Sequence, residues 1–253
     1  MSPRTEVDRF TETIHHLSRL RQYRLEQPPI SHLELDATLA RLRAWQSTRL
    51  SKTHADLLAS QRYGPACRFF LTDIYAPRDF SQRDQDIEYL YAIMSTFLPE
   101  FLLKVVRKAI EMNDLTNELD QTLSRVLAED LGVTASDPGS AGTQDPITPQ
   151  LYAEAYRLCD NFSKRARQIE LLGEVGCMVD KATRIPLIGV TLHLAHRPAI
   201  RAGWGELHGF LNRGYNAFKH MGRADDFLDI IQQREMSILE RIYDHHPDPF
   251  STD

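Results

Sequence analysis

The chain has 253 residues, enough for one large domain or two small ones, and 42% of them are hydrophobic, which supports a sizeable core and excludes a disordered protein. Thirty Lys plus Arg against thirty-five Asp plus Glu leave a net charge of −5, which argues against a nucleic-acid-binding surface. Cys67, Cys159 and Cys177 are odd in number and lack C-x-x-C spacing, so buried free thiols are expected rather than disulfides or a zinc knuckle.

Taken in order, apolar residues at Val7, Phe10, Ile14, Leu17 and Leu25 mark a helix over about 5–26, flanked by His15 and His16 and ended by Pro28-Pro29. MSPRTEVDRF has no apolar leader region. The longest apolar run, IPLIGVTLHLA from Ile185, is about half a membrane span, so a cytoplasmic protein without a membrane segment is expected. Ser31, with Glu34 three residues on, reads as the cap of a long helix through Leu35, Leu39, Leu42, Trp45, Arg49, Thr53 and Leu57 to about Ser60. Its stripe thins at Trp45, Gln46, Arg49 and Asp56. Such thinning usually means packing over another helix end and less often a pocket wall.

The stretch from Arg62 to Asp86, RYGPACRFFLTDIYAPRDFSQRDQD, combines two turn signals with a density of Arg and Asp. Gly64-Pro65 ends one helix and opens the next, because proline is tolerated in a first helical turn. Ala66, Phe69, Phe70 and Asp73 then share a helix face, which makes Asp73 a candidate partly buried acid. Ala76-Pro77 stops that helix, Asp79 or Ser81 can cap another, and Ser81 with Asp84 resembles a capping box. Arg62, Arg68, Arg78 and Arg83 alternate with Asp73, Asp79, Asp84 and Asp86. One reading is a set of caps and ion pairs, with Arg62 or Arg78 holding Asp73. The other is an anion-binding or acid/base pocket at a helix N-terminus.

FFLTDIYAPRDFSQRD resembles the signature of an uncharacterised family of bacterial proteins that reads FFL-acid-(Leu/Ile)-Tyr-(Gly/Ala)-Pro-basic-Asp-aromatic-(Ser/Thr)-x-Arg-Asp. The likeness extends to GELHGFLNRGYNAFKHMG and the terminal helix. The resemblance implies no activity. Ala76 stands where glycine is more usual in that family, so the turn does not demand a left-handed residue there.

Ile87, Leu90, Tyr91, Met94, Phe97 and Leu98 form the clearest stripe, up to Pro99. The pattern resumes at Phe101 and runs to Leu131, with Asn113-Asp114 a possible division and Gly132 a C-cap. Residues 133–147, VTASDPGSAGTQDPI, have almost no apolar anchor and read as a mobile loop, a domain boundary being the alternative. Thr148-Pro149 opens a helix lined by Tyr152, Tyr156, Cys159, Phe162, Ala166 and Ile169. Its continuation holds Gly173 and Gly176, which signal close helix approach or, less often, room for a ligand. Pro186 and Pro198 bracket a short apolar helix with His193 and His196. Trp204, Leu207, Leu211, Tyr215, Phe218 and Met221 mark another helix, closed by Gly222. The last runs from about Asp225 through Phe227, Ile231, Ile238 and Ile242, before HHPDPFSTD frays. No strand is needed. The expected fold is all-α, one bundle-like domain over 1–253 of about eight to ten helices.

No paired Glu-x-x-His motifs, H-E-x-x-H, P-loop, G-x-G-x-x-G or G-x-S-x-G occur, so the usual support for di-iron, zinc-protease, nucleotide and serine-hydrolase chemistry is missing. His193 and His196 could share a metal but lack an acid between them, and His208 could be an axial haem ligand in a helical pocket, without a haem motif to support it. Two functions remain. The first is a non-catalytic helical protein that binds a small molecule or a protein partner, a homodimer included. The second is an enzyme of haem-oxygenase-like layout with a pocket near Asp73, Tyr75 and His208, which is fold-level analogy. The candidate ligand-binding residues are Arg62, Asp73, Tyr75, Arg78, Asp79, Arg83, Asp84 and His208, with no metal set and the cofactor unknown. Neither nucleic acid nor a membrane is expected as a partner.

Overall fold

The computed structural model of the chain describes residues 37–74, 100–133, 147–201 and 203–251, and every regular element among them is helical, giving an all-α fold. The order is α1 (Ala37–Thr53), α2 (Ala55–Ala59), α3 (Gly64–Phe69) running into one π-helical turn (Phe70–Ile74), α4 (Glu100–Glu129), α5 (Pro149–Leu158), α6 (Phe162–Thr183), α7 (Pro186–Arg201), α8 (Gly205–Met221) and α9 (Asp225–Tyr243). The helix expected over 5–26 and the stripe from Ile87 to Leu98 lie outside the described residues.

Local chemistry sets several of these ends. Pro65 sits in the first turn of α3. The Thr148 hydroxyl accepts from the Leu151 N–H at 3.2 Å with Pro149 opening α5, which satisfies one of the orphan donors of a helix start. α4 ends before Gly132, whose φ of 67° lets the chain turn so that the Val133 N–H donates to the Leu127 carbonyl at 2.8 Å.

Four boundaries differ from the periodicity. The helix expected to reach about Ser60 breaks at His54, whose φ of −113° and ψ of 28° are not helical, into α1 and α2. α4 continues unbroken through Asn113-Asp114: these residues cost only tenths of a kcal/mol in a helix, and buried Leu119, Leu123 and Leu127 hold the register. The run from Tyr152 to Ile169 is instead two helices, because Asp160 adopts φ 45° and the Asn161 N–H is taken by the Tyr243 hydroxyl. α7 does not stop at Pro198 but reaches Arg201, although the proline nitrogen cannot donate back to the Leu194 carbonyl.

Among the apolar clusters of the described residues, two are large. In one, Phe69 and Cys67 of α3 meet Ala217, Phe218 and Met221 of α8 and Phe227, Leu228 and Ile231 of α9. Here α8 turns its small face inward, with the Phe69 ring against Gly214, and Leu211 is left exposed. α6 and α9 approach closely, since a Cβ on Gly173 would overlap the Gln232 amide and one on Gly176 would overlap Leu228. The two glycines therefore serve packing. In the other cluster, Leu39 and Leu42 of α1, Leu123 and Leu127 of α4 and Tyr152 and Ala155 of α5 enclose Val133 and Ile147. The two ends of the segment expected to lack an anchor are thus both buried. The C-terminal tail is docked too: Phe250 sets its ring edge-on to Trp45 and Tyr152, at 5.6 and 5.9 Å. An aromatic this large is worth burying, which the local Pro and Asp content concealed. On α7, by contrast, Leu187, Val190 and Leu194 stand exposed among the described residues.

Candidate functional site

Of the residues singled out in the Arg/Asp stretch, Tyr75, Arg78, Asp79, Arg83 and Asp84 lie outside the described residues. Arg62 does not reach Asp73. Its guanidinium donates to the carbonyls of Met221 at 3.0 Å and Arg223 at 2.8 Å, closing the end of α8. Asp73 is buried and accepts from Arg213 on α8, with Nε at 2.8 Å and Nη2 at 2.5 Å from Oδ1, while the Thr72 hydroxyl donates to Oδ2 at 2.9 Å. No periodicity could have nominated a partner 140 positions away.

His208 turns to α7 instead. Its Nε2 lies 2.8 Å from the Leu192 carbonyl, which only accepts, so Nε2 donates there, and Nδ1 stands 3.5 Å from Nδ1 of His196. An axial haem bond through Nε2 would forfeit that hydrogen bond. His196 therefore faces His208 rather than sharing a ligand with exposed His193. Among the described residues no three His, Cys, Asp or Glu side chains are grouped to hold a metal ion.

The most built site lies elsewhere, in a cavity of about 110 Å³ where α1, α4, α5, α6 and α9 converge. Each of four helices brings a polar side chain into a position belonging to its own apolar stripe. On α1, Gln46 and Arg49 continue Leu39 and Leu42. Asp120 precedes Leu123 and Leu127 on α4. Arg165 precedes Ile169 and Leu172 on α6, and Glu235 stands between Ile231 and Ile238 on α9. Helical spacing therefore points all of them inward.

Two linked clusters result. Arg49 Nη1 lies 2.6 Å from both oxygens of Glu235, and His54 Nε2 lies 2.9 Å from Oε1. Alongside, Gln46 Nε2 donates to Asp120 Oδ1 at 3.1 Å and lies 3.4 Å from the Tyr152 hydroxyl. Arg165 donates to the Leu119 carbonyl and to Gln168 Oε1, each at 3.1 Å, stands 3.8 Å from Asp120 and stacks on the Tyr156 ring with 4.5 Å to its centroid. Arg43 approaches Asp120 from the other side at 3.6 Å.

Burial would raise the Glu235 carboxyl, but the Arg49 charge and the hydrogen bonds from His54 and Arg49 outweigh it and hold the group down at about 2. The Tyr152 phenol is pushed well above its ordinary value, chiefly by burial, and so stays neutral. Cys67 also lines the cavity, and burial pushes its thiol up to about 11, away from nucleophilic thiolate character. Three nitrogens of the lining residues are buried without a hydrogen-bond partner: Arg49 Nε, His54 Nδ1 and Arg165 Nε. Buried donors are rarely left unmade, because each costs about 1–3 kcal/mol.

The thinning of the α1 stripe pointed to Gln46 and Arg49. Asp120, Arg165, Glu235 and His54 were missed, though the first three carried a readable signal, a charge at a stripe position.

The chain belongs to the family described as Domain of unknown function (DUF8198), whose model matches residues 21–249. No curated protein and no solved structure matches it.

Proposed function

We propose that this family member is a soluble, cytoplasmic, single-domain binding protein that takes a small ligand into the cavity between α1, α5, α6 and α9. The observation that carries this reading is the set of three unpartnered nitrogens, on Arg49, His54 and Arg165, around a cavity of about 110 Å³. A fold that only needed stability would do as well with packed apolar residues, since buried ion pairs seldom repay their desolvation. Here the charges are held in place by rigid helices from four directions, the arrangement of a preformed pocket with few polar groups in an apolar wall. The three free cysteines support a reducing compartment.

The alternative, an enzyme centred on Asp73, Tyr75 and His208, draws less support. Asp73 is neutralised by Arg213, and His208 is occupied by Leu192 and His196. Native mass spectrometry of gently purified protein tests the proposal: a retained species of low mass, lost in a Glu235→Gln variant, is expected. Retention unchanged in that variant while lost in Asp73→Asn would move the site to the Asp73 turn.

A further inference from the structure

Away from the cavity, the packing of α7 on α8 brings two imidazole nitrogens together without giving them a good hydrogen bond. Nδ1 of His196 and Nδ1 of His208 stand 3.5 Å apart, longer than the about 2.7–3.2 Å at which an N–H group usually holds its acceptor. The rings are inclined by 54° with centroids 5.0 Å apart, so they do not stack either. Their juxtaposition is set by the helices. A Cβ on Gly189 would overlap the Tyr215 hydroxyl, so Tyr215 of α8 is seated over Gly189 of α7. Seven residues separate Gly189 from His196 and His208 from Tyr215, so the two contacts lie about two turns apart on the same faces of an antiparallel pair. His208 is buried and its Nε2 donates to the Leu192 carbonyl at 2.8 Å. In the neutral ring the lone pair then sits on Nδ1, on the side of His196. A backbone carbonyl behind the second ring nitrogen is the support that metal-ligating histidines ordinarily have. His196 is exposed, so its ring can turn and an ion can arrive from solvent.

We propose that His196 and His208 together hold one Zn²⁺ through their Nδ1 atoms, and that the ion clips α7 to α8. The spacing selects the ion. Two nitrogens about 2.0–2.1 Å from one tetrahedral centre lie about 3.4 Å apart, whereas adjacent ligands of a square-planar or octahedral centre lie about 2.9–3.0 Å apart. Imidazole nitrogens with tetrahedral spacing suit zinc. Among the described residues no third His, Cys, Asp or Glu joins the pair, so two positions of the ion are left for water and the site is an exchangeable one. Neither histidine lines the cavity, and the proposal stands independently of the binding-protein reading.

The test uses the full chain, treated with a chelator and then desalted, with Zn²⁺ alone as the probe. Calorimetric titration is expected to show Zn²⁺ binding, and the melting temperature should rise with Zn²⁺ concentration, because an ion that binds only the folded chain stabilises it. His196→Gln, at an exposed position where the fold does not depend on the ring, is expected to weaken binding at least tenfold. His193→Gln, one turn away on the same helix, should leave binding unchanged. X-ray absorption of the zinc-loaded protein should give a four-coordinate ion with two imidazole nitrogens and two oxygens. Equal binding by the unmodified protein and His196→Gln would mean an adventitious ion only, and would overturn the proposal. A loss in His193→Gln as large as in His196→Gln would place the ion on the surface of α7 and overturn the clip between the helices. A six-coordinate shell would overturn the tetrahedral assignment on which the choice of zinc rests. No measurable Zn²⁺ binding would overturn the site outright, while leaving the reading of the cavity untouched.

Discussion

The two halves of α9 solve opposite problems. Its first half packs Phe227, Leu228 and Ile231 against Gly176 of α6 and the aromatic rings of α3 and the π turn, with the Gln232 amide seated over Gly173 and donating to the Ile169 carbonyl. Ile231 also borders the cavity, and one turn later the same stripe presents Glu235, where α6 offers Arg165 and α1 offers Arg49. The apolar half is what burial alone would build. The charged half keeps a cost that substitution by leucine or methionine would remove, a cost that the proposed binding role would account for.

The sharpest way to break this contrast is Glu235→Gln, which removes the negative charge and one of the two accepting oxygens that Arg49 and His54 share in a buried site, and is expected to cost about 3–5 kcal/mol in denaturant melts. A loss under about 1 kcal/mol would mean that water already solvates the pair. The same carboxylate sets a pH signature. Because its folded pKa is depressed, to about 2 from an ordinary 4.5, its stabilisation is fully present above about pH 5 and is lost as pH falls from 4.5 towards 2. The slope of stability over that window should flatten in the Gln variant.

Gly176→Ala probes the apolar half. Alanine gains about 1 kcal/mol of helix propensity, but overlap with buried Leu228 is expected to cost about 1–3 kcal/mol, so the melt should show a net loss of up to about 2 kcal/mol. A gain in melting temperature would show that α6 and α9 can separate without penalty. Asp73→Asn is expected to cost less, about 1 kcal/mol, although Asp73 is as buried as any acid described. Its partner Arg213 is half exposed and can return to water, whereas Arg49 cannot. A loss as large as that of Glu235→Gln would erase the distinction between the two pairs. Smallest of all, replacing residues 135–145 with a short Gly-Ser link should change stability by under about 1 kcal/mol, provided that Val133 and Ile147 are kept, since loop closure depends only logarithmically on length. A fall in melting temperature beyond about 5 °C would show that the segment itself is docked.

Periodicity and punctuation by themselves determined the helical class, the starts at Pro65 and Pro149, the stop before Gly132, the inward face of Ala66, Phe69 and Asp73 and the burial of Phe227, Ile231, Ile238 and Ile242. All of these depend on forces acting within one or two turns of chain. The meaning of Gly173 and Gly176 was legible as well, because a glycine inside a helix has few other uses. Tertiary structure alone decided who meets whom. Asp73 pairs with Arg213 and not with Arg62. Asn161 is bonded by Tyr243, Phe250 returns to Trp45, and Arg49 finds Glu235 across 186 positions. Helical spacing tells which way a side chain points but not which helix stands opposite, and a charge at a stripe position becomes a site only when other helices bring their own charges to the same place.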